Sequence, residues 1–299
     1  MMRHLFLINP TAGRADCTET IRKAALDLSQ ALGEPCSLRI SEKSGDITRF
    51  AREAGEGGAE CRLYACGGDG TLNEAANGAR GFSNLSLTCV PCGSGNDFIR
   101  YFGARERFSD ILNFTDPIEE RIDLMSVNGR ACLSICSAGF DARIGTAIDA
   151  YRRFPLLGGS RAYVASIVVN LIRGIVRPCR IRLEDGTEID ERMTLCCICN
   201  GNWYGGGFNP VPEASLTDGL LDVLVVKRVS RLTVAKVISA YQKGRYADYP
   251  ELITHYTTRS LEISTPQPEP INIDGELLTT DHIKVELQPG ALRFFRPKP

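Results

Sequence analysis

The chain has 299 residues, of which 43% are hydrophobic and 24% charged, and its formal net charge is −1 at pH 7. This length allows one large or two medium domains, and this composition is typical of a soluble globular protein. The lack of a basic excess argues against nucleic acid as a main partner. The longest apolar run, 162–172, is shorter than the roughly twenty residues that span a bilayer. We therefore expect a cytoplasmic protein.

In the N-terminal part of the chain, apolar runs alternate with segments that have apolar residues at helical spacing. We predict strands over 4–9, 37–41, 61–66 and 85–90, and helices over 18–32, 46–56 and 72–78. Strands that alternate with helices predict a mainly parallel, doubly wound α/β sheet. In such sheets, ligands bind beyond the carboxyl ends of the strands.

Loops of small residues follow three of these strands. The loops are 9–14, 67–71 and 92–97, and their polar side chains include Thr11, Thr71, Ser94, Asp69 and Asp97. Because these loops should open onto one crevice, we interpret them as a nucleotide phosphate site in which backbone amides and a helix N-terminus face the anion. For the middle loop, a tight turn with Asp69 as a helix cap is the alternative. None of the loops has the Walker A or the GxGxxG spacing.

From residue 118 onward the pattern changes to short β-rich runs separated by turn signals. We predict strands over 120–127, 131–137, 180–183, 192–200, 220–227, 260–264 and 283–287, with turns that include 266–270 and 288–290. Helical insertions are predicted at 141–151, 160–174 and 231–242. The sequence therefore predicts an α/β domain over 1–125 and a C-terminal antiparallel β-sandwich over 126–287. The final segment, 288–299, is a candidate to return to the first domain.

Twelve cysteines are scattered along the chain, many of them in apolar runs. Cysteine in such runs behaves as a small buried hydrophobe. The alternative is a zinc or redox site at the CxxC of Cys89–Cys92 or at the cluster Cys196–Cys199. No second CxxC or histidine pair completes a tetrahedral set, which argues against zinc.

Several motifs occur in a fixed order along the chain. They are Asn9-Pro10 with Gly13, Gly67-Gly68-Asp69-Gly70-Thr71, Pro91-Cys92-Gly93-Ser94-Gly95-Asn96-Asp97, Asp218-Gly219-Leu220-Leu221-Asp222 and Asp274-Gly275-Glu276. Taken singly, the Asp-Gly pairs read as ordinary turns. Together the motifs resemble the diacylglycerol kinase catalytic-domain family, which includes bacterial diacylglycerol kinases, YegS-like lipid kinases, and sphingosine and ceramide kinases. The resemblance covers essentially the whole chain but does not specify the lipid.

The resemblance implies an ATP-binding α/β domain and a β-sandwich, with ATP and lipid meeting in the cleft. The implied ATP contacts are Asn9, Ser41, Gly67, Gly68, Asp69, Gly70, Thr71, Leu72, Asn73 and Ser94. Asp69 would manage the phosphates and a catalytic Mg²⁺, and Glu276 would be the general base that takes the proton of the lipid hydroxyl. A second, structural Mg²⁺ would be held by Ser215, Asp218 and Leu220, and Asp97 and Asp123 would belong to its water network.

A membrane lipid as substrate implies peripheral membrane contact. Arginines within 152–182 surround the apolar segment 163–176, which suits docking on anionic lipid. A buried helix with a solvated basic flank is the alternative. Two other functions stay open: a soluble-substrate kinase of the NAD kinase type, which also carries a Gly-Gly-Asp-Gly loop, and a non-catalytic nucleotide or lipid sensor. A homodimer is also left open.

Overall fold

The computed structural model describes residues 2–13, 15–93, 95–139 and 177–299. The chain forms two compact units: unit 1 contains Met1–Leu124 and Gln288–Pro299, and unit 2 contains Met125–Leu287. The helical insertions predicted at 141–151 and 160–174, and most of the basic segment 152–182, lie outside the described residues.

Unit 1 is built on a parallel sheet. Its strands are β1 (Arg3–Ile8), β2 (Cys36–Ile40), β3 (Cys61–Gly67) and β4 (Leu85–Pro91), and its helices are α1 (Thr18–Leu32), α2 (Asp46–Glu56), α3 (Asp69–Ala79) and α4 (Arg105–Ser109), with 3₁₀ helices at Phe98–Phe102 and Ile111–Phe114. The strands lie in the order β2-β1-β3-β4 and pair in parallel. Right-handed crossovers then place α1 on the face opposite α2 and α3, and α2 packs on α3. The doubly wound α/β prediction is confirmed.

The helices of unit 1 follow the predicted apolar spacing, with one correction. In α1 the buried residues are Ile21, Ala25 and Leu28, and Gly33 with φ 68° ends the helix. The third helix begins at Asp69, three residues before the predicted start, so three of the five residues of the predicted loop 67–71 are helical. The sequence misled because glycines at 68 and 70 lower helix propensity, whereas Gly68 serves as the extended N-cap residue.

Aromatic side chains fill the core of unit 1 and include the end of the chain. The ring of Tyr64 on β3 stacks on Phe6 at 4.4 Å and meets Phe295 edge-on at 5.1 Å. Phe294 stacks on Phe102 at 4.9 Å and lies opposite Leu87 of β4 in parallel register. Large buried rings contribute much of the burial energy of a core. The C-terminal segment is therefore an integral part of unit 1.

Unit 2 is mostly β-structure. Its strands are β5 (Ile118–Val127), β6 (Arg130–Cys132), β7 (Ile135–Gly139), β8 (Arg177–Leu183), β9 (Glu188–Cys199), β10 (Leu221–Lys227), β11 (Ile253–Thr258), β12 (Ser260–Ile273) and β13 (Glu276–Arg296), with helix α5 (Arg231–Gln242) and a 3₁₀ helix at Tyr246–Asp248. Strands β5 and β13 contribute residues to both units. The pairs within unit 2 are antiparallel, and β8 pairs with both β9 and β12. The antiparallel β-sandwich prediction is confirmed.

Four details of the predicted strands are wrong. The predicted strand 131–137 is two strands, β6 and β7, and the predicted turns at 266–270 and 288–290 lie inside β12 and β13. A change of register between Ser264 and Glu269 accommodates the prolines of β12. Strand β11 was not predicted, because polar residues such as Thr254 and His255 interrupt the alternation of apolar and polar residues that indicates a strand.

The cysteine-rich strand β9 is buried on both faces. Cys196 and Ile198 face a core that also contains Val223 of β10. Cys197 and Cys199 face a second core, which includes residues of α5. All twelve cysteines are free, burial raises the pKa of the Cys196 thiol well above its usual value, and no group of three metal-ligating side chains occurs among the described residues. These thiols act as small hydrophobic side chains.

The helices of the described residues are short. The longest among the described residues, α1, has 15 residues, and α5 has 12. Helix α5 occupies the predicted range 231–242, and the Ser230 hydroxyl caps it by accepting the Thr233 N–H at 3.1 Å. In the described part of the chain, no helix combines the length and apolar character needed to cross a bilayer.

A buried histidine makes the stability of unit 1 depend on pH. Nδ1 of His4 lies 2.9 Å from the Tyr64 hydroxyl and Nε2 lies 2.9 Å from the Glu34 carboxylate. Burial lowers the pKa of His4 below its usual value of 6.5. The unfolded chain therefore takes up a proton at this position before the folded chain does. Stability is fully present above the ordinary histidine pKa and is lost as the pH falls through the folded value.

We predict that the melting temperature of the wild type falls relative to that of His4→Gln between about pH 7.5 and about pH 5.5, because the variant lacks the His4 contribution. Scanning calorimetry of both proteins at the two pH values measures the difference. His282→Gln is the matched control, because His282 is exposed. An unchanged pH dependence in His4→Gln would contradict this prediction.

Candidate functional site

The three glycine loops of unit 1 lie directly against one another. A Cβ on Gly13, whose φ is +96°, would lie 2.5 Å from the carbonyl oxygen of Cys92. A Cβ on Gly93 would lie 2.6 Å from the Cα of Gly68, and one on Gly68 would lie 2.8 Å from the carbonyl oxygen of Gly95. Real Cβ atoms do not approach backbone this closely. The contacts are backbone on backbone, and only glycine permits them.

Asn9 connects the first loop to the second. Its amide Nδ2 donates to the Thr71 hydroxyl at 3.2 Å, and its Oδ1 accepts from the N–H and the hydroxyl of Thr11 at 3.1 and 2.8 Å. Thr71 is buried beneath Gly67, where a Cβ would lie 2.2 Å from the Thr71 hydroxyl oxygen. The Thr71 hydroxyl can occupy this position only because Gly67 has no side chain.

Asp69 connects the second loop to the third. Its N–H donates to the Gly95 carbonyl at 3.1 Å, and its carboxylate accepts the N–H groups of Asp97 at 3.0 Å and Phe98 at 3.2 Å. The carboxylate thus caps the 3₁₀ helix Phe98–Phe102. Asp69 is not the N-cap residue of its own helix, as the alternative required, because Gly68 is the N-cap residue of α3.

The first turn of α3 can face an anion. Gly70 is exposed, and a Cβ placed on it would meet nothing within 4 Å. The backbone N–H groups of a first helical turn have no partner within the helix, and the helix dipole is positive there. The next two predicted residues are different: Leu72 and Asn73 are buried, and the Asn73 Oδ1 accepts from Asn77 at 2.9 Å.

Ser41 and Ser94 complete the predicted nucleotide set. Ser41 directly follows β2, and its N–H donates to the Ile8 carbonyl at 2.8 Å, which places it beside the first loop. Ser94 lies outside the described residues. The structure thus places Asn9, Ser41 and Gly67–Thr71 at one edge of the sheet of unit 1.

A residue that the sequence did not indicate braces the third loop. Nη2 of Arg105 donates to the carbonyl oxygens of Pro91 at 3.2 Å and Gly93 at 3.4 Å. Asn96 also donates to Gly93, at 2.8 Å. No motif could have identified Arg105, because it lies outside the loop in sequence and acts on carbonyl groups that every residue carries.

The two other acids of unit 1 that were predicted for the site, Asp97 and Asp123, are buried and each has a partner. Asp97 forms an ion pair with Arg100 at 3.3 Å. Asp123 accepts the Gly290 N–H at 2.7 Å, which fastens the C-terminal segment to β5. Both residues were predicted for a metal-linked water network, and the hydrogen bond of Asp123 adds a structural contribution that the sequence did not indicate.

In unit 2, Asp274 anchors the hairpin of the Asp-Gly-Glu motif. Its carboxylate accepts three successive backbone N–H groups, those of Leu133 at 2.5 Å, Ser134 at 3.0 Å and Ile135 at 2.9 Å. The carboxylate thus satisfies the backbone N–H groups at the junction of β6 and β7. Asp274 has a φ of 49°, a conformation that aspartate tolerates in turns.

Glu276 follows as the first residue of β13 and is free of such backbone bonds in the described structure. Its Oε2 forms an ion pair with Nη2 of Arg130. The side chains are 37% and 43% exposed, respectively, so solvent reaches both. The sequence did not indicate Arg130, because more than a hundred residues separate it from its partner.

The predicted metal loop of unit 2 presents oxygen atoms. Oδ1 of Asp218 accepts the Leu220 N–H at 3.0 Å, and the Ser215 hydroxyl accepts the Thr217 N–H at 3.3 Å. These bonds form two successive local turns, 215–217 and 218–220, and the Asp218 side chain is exposed. Carboxylate, hydroxyl and carbonyl oxygens are the ligands that Mg²⁺ prefers, so this donor set fits that ion.

The last acid of the Asp218–Asp222 motif has a separate partner. Asp222 is buried, and its Oδ1 lies 2.7 Å from Nε2 of His255. Nδ1 of His255 lies 3.3 Å from the Tyr246 hydroxyl, which also bonds to Glu213. The hydrogen bond from Asp222 raises the pKa of His255. These hydrogen bonds connect Glu213 to Asp222, the residues on either side of the predicted metal loop.

Comparison with known proteins gives two matching family models. The model described as diacylglycerol kinase catalytic domain matches residues 3–127, and the model described as YegS C-terminal NAD kinase beta sandwich-like domain matches residues 134–296. Two crystal structures of proteins assigned as diacylglycerol kinases from Bacillus anthracis str. Sterne share the fold. Their TM-scores are 0.80 and 0.72 at 24% and 22% identity, and the match covers 99% of this chain and 97% of each of theirs.

Curated relatives match at higher identity. A protein of Pseudomonas aeruginosa named "Probable lipid kinase YegS-like" is 30% identical over 292 residues, which cover 95% of this chain and 92% of that protein. A protein of the same name from Shewanella frigidimarina is 29% identical over 293 residues, with the same coverage. By sequence and by fold, the chain belongs to the YegS-like lipid kinases of the diacylglycerol kinase family.

Proposed function

We propose that this chain transfers the γ-phosphate of ATP to the hydroxyl group of a membrane lipid, with Glu276 as the general base and Mg²⁺ as the metal. The observation that carries the proposal is the backbone-on-backbone contact of three glycine loops at the N-terminus of α3. Such an arrangement aims amide groups at an anion, and kinases of this family use ATP as the phosphate donor. The curated relatives named probable lipid kinases favour a lipid over the alternative soluble substrate.

In this proposal unit 1 binds the nucleotide. Phosphoryl transfer depends on positioning and on neutralising charge more than on covalent assistance. The exposed first turn of α3 at Gly70 would face the phosphates. Asn9 and Thr71, which hydrogen-bond each other, would fix the position of the triphosphate. Asp69 would act on the phosphates and their metal from a carboxylate that its two backbone bonds hold in place.

Unit 2 would supply the proton acceptor. Glu276 takes the proton of the lipid hydroxyl while the hydroxyl oxygen forms a bond to the γ-phosphorus. The bond between that phosphorus and the β–γ bridging oxygen breaks, and ADP leaves with the electron pair. A carboxylate can act in this way when it lies within hydrogen-bond reach of the hydroxyl. Of the two acids of the hairpin, Glu276 suits this chemistry better, because Asp274 already accepts three backbone N–H groups.

Magnesium would neutralise phosphate oxygens when bound. Asp69 is the carboxylate of unit 1 that would serve the catalytic ion. In unit 2, Ser215, Asp218 and Leu220 would hold a second ion with a structural function. The oxygen atoms of the two successive turns support the assignment.

The phosphate acceptor can be identified with a panel of lipid vesicles. With radiolabelled ATP, we expect phosphate incorporation into one member of a vesicle panel that contains diacylglycerol, phosphatidylglycerol, sphingosine or undecaprenol. NAD in solution is the comparison substrate. Phosphorylation of NAD without phosphorylation of any lipid would overturn the lipid assignment, and nucleotide binding without any turnover would indicate a sensor. Co-sedimentation with the same vesicles tests the proposed peripheral membrane contact.

The second prediction is that Glu276→Gln keeps ATP binding and lowers turnover by about 10²–10⁴-fold, the usual contribution of a general base. Turnover is measured with the lipid that the panel identifies, and ATP affinity by calorimetry. Glu286→Gln is the matched control, since Glu286 lies on the same strand and forms an exposed ion pair with Lys284. Near-normal turnover in Glu276→Gln would remove Glu276 as the base.

The third prediction concerns the metal loop. A ligand at ten times its Kd stabilises a protein by about 1.4 kcal/mol. We expect Mg²⁺ to raise the melting temperature of the wild type and Asp218→Ala to lose most of that rise. Asp185→Ala is the matched control, because Asp185 accepts the Thr187 N–H in the same kind of turn, at 2.8 Å. If Asp218→Ala responds to Mg²⁺ and to a chelator as the wild type does, the structural-metal assignment is wrong.

A further inference from the structure

The segment that carries Arg130 is fixed against the strand that carries Glu276. Asn128, at the turn between β5 and β6, donates its N–H to the Lys284 carbonyl at 2.9 Å and accepts the Lys284 N–H on Oδ1 at 2.7 Å. Its side-chain Nδ2 donates to the His282 carbonyl at 2.9 Å. Three hydrogen bonds therefore hold the β5–β6 turn on β13.

A second anchor lies on the other side of Arg130. The Asp274 carboxylate accepts the N–H groups of Leu133 and Ser134, and the Asp274 N–H donates to the Ile135 carbonyl at 3.0 Å. Arg130 stands between the two anchors. Because both anchors join the 128–135 segment to the strand and hairpin of Glu276, the backbones of the two partners are held in one rigid arrangement.

The ion pair itself contributes little to folding. Both side chains are partly exposed, at 43% for Arg130 and 37% for Glu276. Ion pairs between groups this exposed are screened by solvent, and their effect on stability is small. Since stability does not account for this rigidly placed pair, its effect on the orientation of the Glu276 carboxylate is the better explanation. Removal of the arginine should therefore leave the fold intact.

We propose that Arg130 is the positioning residue for the general base, an inference that rests on the proposed function of Glu276. The guanidinium engages Oε2 of Glu276, which leaves Oε1 to accept the hydrogen of the lipid hydroxyl. With one oxygen held, the carboxylate has less freedom to rotate away from its substrate. A misplaced catalytic group can lower the rate by about a hundredfold without any loss of substrate binding.

The test compares three single variants in the vesicle assay. Arg130→Met removes the charge and keeps the length of the side chain. We expect it to lower kcat by about 10- to 100-fold while the KM for ATP stays within about twofold. Arg130→Lys should recover part of the loss, because a lysine keeps the charge but not the planar fork. Arg245→Met is the matched control: Arg245 forms an exposed pair with Asp248 in the same unit, and its loss should not change kcat.

A double-mutant cycle shows whether Arg130 acts through Glu276. In the Glu276→Gln background, adding Arg130→Met should lower turnover by no more than about twofold, because the group to be positioned has already lost its function. An equal loss in both backgrounds would overturn the proposal. So would an Arg130→Met protein with wild-type kcat.

These outcomes separate the inference from the function on which it rests. An active Glu276→Gln protein would overturn the assignment of the base itself. An inactive Glu276→Gln protein beside a fully active Arg130→Met protein would overturn only the positioning role of Arg130. Melting curves of each variant identify any that lose activity by unfolding, and Arg130→Lys then supplies the comparison in a folded protein.

Discussion

Direct contact between backbones is the constraint on which unit 1 depends. Gly13, Gly68 and Gly93 each occupy a position where a Cβ would lie within 2.5–2.8 Å of another loop's backbone. The loops can pack this closely only because they lack side chains, and this packing brings their amide groups together at one edge of the sheet. A polar pocket made from side chains would need a larger gap between the loops. The glycines therefore determine both the shape and the chemistry of this edge.

Acidic side chains then fasten these segments through backbone N–H groups. Asp69 bonds to Asp97 and Phe98, and Asp123 bonds to Gly290. In unit 2, Asp274 accepts three N–H groups in succession. A buried N–H without a partner is costly, so each of these bonds also satisfies a requirement of the fold. The motif acids are thus part of the scaffold, whatever else they do.

Much of the fold could be predicted from the sequence, because apolar spacing reports burial directly. Helices α1, α2 and α5 begin and end at the predicted residues. The wrong predictions have local causes. Gly68 and Gly70 have low helix propensity, so the start of α3 was predicted too late, and the prolines inside β12 led to the prediction of a turn. In the candidate site, the glycine loops and the motif acids were visible in sequence. Arg105 and Arg130 were not, since an arginine that braces a distant carbonyl or carboxylate leaves no local pattern.

The distinction between anchored and exposed acids bears on how motifs are interpreted. Asp274 and Glu276 stand two residues apart in one motif, yet Asp274 is bound to backbone while Glu276 is paired with an exposed arginine. Loss of Asp274 would release the segment 133–135 and with it the neighbourhood of Arg130, so activity would fall through the scaffold alone. A loss of activity alone therefore cannot assign a motif acid to the chemistry. Within the Asp-Gly-Glu hairpin the partners of the two carboxylates are the better guide, because the Asp274 carboxylate accepts three backbone N–H groups whereas the Glu276 carboxylate is paired with a side chain that solvent reaches.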